Sequence, residues 1–170
     1  MEMTGLDVQK ERIIEVAAIV TDSDFNELET YESVVFQDPV FIKNMDDWNT
    51  EHHTASGLVA KIPNAPMQDI VEKKLCELVQ KHFAKEPAIM CGNSISQDRK
   101  FIDLYMLKLA SLLHYRMLDV TSWKILMEGK YNIKVEKQDR HRALEDIRES
   151  IQELKIYLKH IRVPSNLEGT

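Results

Sequence analysis

Three carboxylates and one imidazole have types that could do chemistry together: Glu2, Asp98, Asp146 and His141. Each alone reads as ordinary. Glu2 is an N-terminal carboxylate ahead of Met3-Thr4-Gly5-Leu6, and Asp98 could cap or open a helix, as Asp often does. Asp146 lies between Leu144 and Ile147, near an apolar helix face, where a carboxylate without a partner is costly. His141 stands at the start of the same helix. Taken together they describe something more specific. Carboxylates on separate elements around one sheet can converge on hard divalent cations, which take oxygen ligands. Two such cations about 4 Å apart stabilise both the attacking and the leaving oxygen of a phosphodiester displacement. An imidazole with an ordinary pKa of about 6.5 can take the proton from the attacking water.

The elements that must position these groups alternate along the chain. Residues 12–22 are β-branched and apolar and read as a buried strand. Residues 32–37 read as a second strand, and the short connection through 23–27 predicts an antiparallel hairpin. Between 66 and 83, apolar residues including Val71, Leu75 and Leu78 fall at helical spacing. Residues 88–91 read as a short strand ending at Gly92-Asn93, 101–113 as a helix and 115–119 as a further strand. The last strong helix is expected over 143–161, with Leu144, Ile147, Ile151, Leu154, Leu158 and Ile161 as its stripe. Residues 127–139 are polar and read as a connection leading to His141. Residues 164–170 read as a frayed tail, which leaves 1–163 as one domain. Strands first, then alternating helices and strands, imply an α/β domain with a mixed sheet. Thr4-Gly5 already reads as a turn, so the strand ahead of it is expected to be cut short.

Composition narrows the class. A chain of 170 residues fits one domain, and a domain of that size buries roughly 70% of its unfolded surface without needing staples. Cys76 and Cys91 make no disulfide framework and no metal-ligand spacing, which points to a reduced, cytoplasmic protein. No apolar run approaches the roughly 18 residues of a membrane span, and the first residues carry no signal-peptide pattern. The net charge of −6 argues against a coat for long nucleic acid, which is held by basic surface. It leaves room for an enzyme that grips one or two phosphates through metals in a pocket.

Six segments, in order, strongly resemble the oligoribonucleases, a family in the DEDDh branch of the ribonuclease-H-like exonucleases. They are Glu2-Met-Thr-Gly-Leu6, Met45-Asp-Asp-Trp-Asn49, His53-Thr-Ala-Ser-Gly-Leu58, Gly92-Asn-Ser-Ile-Ser-Gln-Asp98, His114-Tyr-Arg-Met-Leu-Asp-Val120 and His141-Arg-Ala-Leu-Glu-Asp-Ile-Arg-Glu-Ser150. The resemblance implies a ribonuclease-H-like fold, a mixed five-stranded sheet flanked by helices, with the first strand truncated here. It implies a 3′→5′ exoribonuclease that degrades very short RNA, dinucleotides especially, to 5′-mononucleotides with two divalent cations, Mg²⁺ or Mn²⁺. Glu2 and Asp146 then resemble metal ligands, Asp98 a carboxylate supporting the metal site, and His141 the general base. Leu6 resembles a wedge between two bases, and Trp48 and His53 the lining of the base and sugar pocket. Ser94 and Thr121 resemble parts of a cap over the 5′ phosphate, with Thr121 standing where the family usually has Ser. Tyr115 and Arg116 resemble residues that a second subunit contributes to that cap, which implies a homodimer.

The family's first motif is Asp-x-Glu. With Glu2 as its Glu, the Asp position falls immediately before Met1 and is not in this chain. Weak metal affinity and low activity are therefore expected of the chain as written. Two alternatives stay open: a related DEDDh exonuclease acting on tRNA or single-stranded DNA 3′ ends, and an inactive nucleotide-binding form.

Overall fold

The computed structural model describes residues 1–135 and 143–161. His141 and the 164–170 tail lie outside the described residues. In chain order the strands and helices are β1 (Glu2–Met3), β2 (Ile13–Thr21), β3 (Glu27–Val34), α1 (Pro39–Lys43), α2 (Asp47–Ala55), α3 (Leu58–Lys61), α4 (Gln68–His82), β4 (Ala88–Gly92), α5 (Ser96–Tyr105), α6 (Leu107–Ala110), β5 (Leu113–Asp119), α7 (Val120–Tyr131) and α8 (Ala143–Leu158).

β2 is apolar because both of its faces are covered. Ile13 and Val16 enter the main core with Val71 and Leu75 of α4 and Phe101 and Ile102 of α5. Ile14 packs instead with Leu58 and Ile62. β3 pairs antiparallel with β2 from Glu15↔Val34 to Thr21↔Glu27, the expected hairpin. Its end lies at Val34 rather than 37. Beyond it, Phe36 N–H donates to the Pro66 carbonyl and the Gln37 side chain to the Ile13 carbonyl, so the chain leaves the ladder.

The sheet corrects one expectation. Among the described residues the five strands form two ladders, β1-β2-β3 and β4-β5, rather than one continuous sheet. β1 and β2 are antiparallel, pairing only at Glu2↔Glu15 and Met3↔Ile13, whereas β4 and β5 are parallel. Two residues are too few to bridge the ladders. Between β2 and β4 runs a groove of about 550 Å³ whose walls include Val16, Val20, Met90, Ile147, Ile151 and Leu154.

Three helices also depart from expectation. The helix placed over 101–113 starts earlier, at Ser96, and breaks at Met106, a buried residue at φ −133° and ψ 64°. α6 follows that break, with Glu72 of α4 accepting from its Lys108 and Leu109 amides. α7 occupies part of what read as a polar connection. Asp119 caps it, accepting from Thr121 N–H, but it exposes Ile125 and Leu126, so no single apolar stripe announced it. α8 ends at Leu158, before Ile161. Its most buried side chains are Ala143, Ser150, Glu153, Leu154 and Tyr157, while Ile147 and Ile151 line the groove.

Candidate active site

Glu2 on β1, Asp98 in the first turn of α5 and Asp146 in the first turn of α8 all border the groove between the ladders. Three distant stretches of sequence thus bring their carboxylates to one cleft. Their charges are felt there. Burial pushes the Glu2 carboxyl above its usual range; the Met1 ammonium opposes that shift, and the charges of Glu15 and Asp146 add to it. Met1's ammonium lies 2.9 Å from Asp98 Oδ1. Burial works against the charged ammonium, but the charge and hydrogen bond of Asp98, with Glu2 and Glu15, outweigh it and raise its pKa.

Such oxygen donors suit hard divalent cations, and the repulsion that Glu2 meets from Glu15 and Asp146 is what a bound cation would relieve. Among the described residues, no three His, Cys, Asp or Glu side chains stand close enough to hold one ion together. Donor type and crowding of charge fit a metal; the positive charge against Asp98 is the chain's own ammonium. Sequence reasoning missed Glu15. Its signal was present, a lone charge in the apolar run 13–20.

Glu2 also borders a small depression shared with Glu15, His52 and His53. α2 supplies the histidines. Asp46 caps that helix by accepting from Asn49 N–H. Trp48, exposed, stacks on the His52 ring at 4.8 Å and 7°. His53 is buried, and its Nε2 lies 3.0 Å from the Met3 carbonyl. A carbonyl only accepts, so Nε2 carries the hydrogen. Burial lowers the His53 pKa, the Met3 hydrogen bond and acidic neighbours acting against that shift. Leu6 is exposed on the loop between β1 and β2.

At the end of β4, Ser94 sits at φ 50°, an unusual backbone state for a residue other than Gly. Its N–H reaches Asp119 Oδ1 at 3.0 Å and Thr121 Oγ1 at 2.9 Å, and its hydroxyl lies 3.3 Å from Thr121 Oγ1. Ser94 and Thr121 are therefore together. The residue that joins them, Asp119, was missed; its place at the end of the expected 115–119 strand was the only signal. Tyr115 and Arg116 stand apart from the groove. Both are exposed on β5, with the Arg116 guanidinium 5.4 Å from the Tyr115 ring centre.

The sequence profile of the exonuclease family matches residues 1–154. An oligoribonuclease of Coxiella burnetii is 40% identical over 167 residues, covering 95% of this chain and 91% of that protein. One from Francisella tularensis subsp. holarctica is 40% identical over 167 residues, covering 95% and 92%. One from Chromobacterium violaceum is 42% identical over 165 residues, covering 94% and 91%. With a profile match along most of its length and relatives at this identity from end to end, the chain belongs to the exonuclease family, among the oligoribonucleases.

Proposed function

We propose that this chain is a 3′→5′ exoribonuclease of the cytoplasm that acts on very short RNA, dinucleotides above all, and releases 5′-mononucleotides. The observation that carries the reading is the meeting of Glu2, Asp98 and Asp146 at one groove, in a chain whose relatives are oligoribonucleases.

In this reading Glu2, Asp98 and Asp146 would share the holding of divalent cations, Mg²⁺ or Mn²⁺, with no single ion held by all three. When bound, such ions would stabilise charge on the attacking and leaving oxygens of the phosphodiester. His141, outside the described residues, takes the proton of the attacking water. Leu6 and Trp48 offer apolar and aromatic faces, which hold bases without reading their identity. His53, with Nε2–H donated to the Met3 carbonyl, keeps Nδ1 as its acceptor. Ser94 and Thr121 provide hydroxyls for the 5′ phosphate.

Arg116 and Tyr115 act on the site of a second copy. Arg116 suits a terminal phosphate because its planar fork binds two oxygens. Neither Arg116 nor Tyr115 lines the groove of its own chain, which supports a contribution in trans, and exposed Ile125, Leu126 and Tyr131 on α7 give a second copy apolar surface to bury.

The test is turnover of a 5′-phosphorylated RNA dinucleotide in Mn²⁺. Mononucleotide release that stops with EDTA and falls in Asp146→Asn is expected. Turnover indifferent to both would overturn the reading.

A further inference from the structure

The loop of residues 4–12 between β1 and β2 carries Leu6, which is 76% exposed. At its base the loop is closed by its own chain: buried Thr4 donates to Glu11 and accepts from Arg12 N–H. At Gly5 a Cβ would come within 2.9 Å of the Glu11 carboxyl carbon, so the turn is tight there. Further out, α5 holds it. Gln97 donates from Nε2 to the Leu6 carbonyl at 2.6 Å, and the Tyr105 hydroxyl donates to the Val8 carbonyl at 2.7 Å. Gln97, Phe101 and Tyr105 recur every fourth residue and so share one helix face. Phe101 is fully buried between them, its ring 6.0 Å from that of Tyr105. The Tyr105 hydroxyl also accepts from Arg12 Nη1 at 2.6 Å, and the Arg12 guanidinium lies over the Phe41 ring at 4.1 Å. The residue after Gln97 is Asp98, at the groove.

We propose that Gln97 and Tyr105 are positioning residues that clamp the loop bearing Leu6 to the helix bearing Asp98. The base-contacting side chain and the acidic groove then form one rigid body, and the clamp sets how tightly the terminal nucleotides are gripped. Without it, ordering the loop would be charged against binding. The role in substrate grip rests on Leu6 being the base contact described above.

Gln97→Met keeps the side-chain length and removes the donor; Tyr105→Phe keeps the ring and removes only the hydroxyl. Gln97→Met is expected to raise KM for a dinucleotide about 3- to 10-fold, the worth of one neutral hydrogen bond, and Tyr105→Phe, which loses the Val8 and Arg12 bonds together, at least as much, with kcat within about 2-fold in both. Amide hydrogen exchange across residues 5–9 should quicken while α4 amides keep their rates. In the Leu6→Ala background, Gln97→Met should add nothing, because it acts through Leu6. Unchanged exchange and KM in Gln97→Met overturn the clamp, as does the full KM increase persisting in the Leu6→Ala background. If the parent protein neither binds nor cleaves a dinucleotide, the functional reading fails separately, and exchange across the loop still decides the clamp.

Discussion

Around Glu2, single side chains crowd negative charge into a half-buried place. Glu15 faces it across the ladder and Asp146 acts on it from α8, while the Met1 ammonium and His52 offset them. An arrangement of this kind gains little as scaffolding, which suits the cation-holding role proposed for it. Asp146→Asn is expected to lose nearly all turnover at unchanged fold, read by rate and circular dichroism together. His141→Ala should lower kcat about 100-fold or more, whereas Arg116→Ala should chiefly raise KM; wild-type kinetics in either removes that residue from the scheme. His53 gives a pH signature. Its folded pKa is lowered, so between that value and the unfolded value of about 6.5 the unfolded chain binds more protons and stability falls as pH drops. His53→Gln keeps an N–H for the Met3 carbonyl and does not titrate, so it should lose less melting temperature between neutral and mildly acid pH. An equal loss would mean His53 is not the titrating group. At this level the sequence was readable where a residue type is rare in its surroundings, as with Asp146 on an apolar face. It was silent about Gln97, whose partner is a backbone carbonyl 91 residues away.

Helices and strands place those side chains through a few polar anchors inside apolar packing. α8 sits on the sheet with Glu153 fully buried, accepting from the Tyr157 hydroxyl at 2.9 Å and from Asn93 Nδ2 at 3.3 Å. Asn93 also donates to Ser150 at 2.9 Å, which ties the end of β4 to the helix carrying Asp146. Burial and the Glu153 carboxylate push the Tyr157 phenol well above its usual range. Tyr157→Phe should destabilise the fold by about 1–3 kcal/mol, the cost of a buried acceptor losing a donor, as measured by urea unfolding. A wild-type midpoint would show that Glu153 is satisfied without it. Apolar spacing revealed α4 and α8 because each buries one side. It missed α7, which has apolar residues on its exposed side, and it misplaced the deepest face of α8, where Ser150, Glu153 and Tyr157 pack through hydrogen bonds that a hydrophobic pattern does not register.

At the scale of the molecule, the groove between the two ladders is where Glu2, Asp98 and Asp146 come to one surface. The turn at Thr4-Gly5 already implied a short β1, but the open channel flanked by β2 from Val16 onward and by β4 emerges only in the folded molecule. β1 enters antiparallel to β2, so residues placed ahead of Met1 would run alongside Val16–Thr21 at about 3.4 Å per residue. An engineered extension of about six apolar residues ending in Asp should pair with both ladders, raise the melting temperature by roughly 5 °C and increase turnover in Mn²⁺. An unchanged melting temperature and rate would show that the channel does not accept a strand. The chain order of strands and helices was enough to place the molecule in its α/β class, while the break between ladders depended on distances no sequence pattern carries. The most direct test of the whole account is the initial rate on 5′-labelled RNAs of two to seven nucleotides. A dinucleotide-directed exoribonuclease should cleave the dinucleotide fastest, with 5′-mononucleotide as product; a dinucleotide cleaved no faster than a heptanucleotide would refute that specificity.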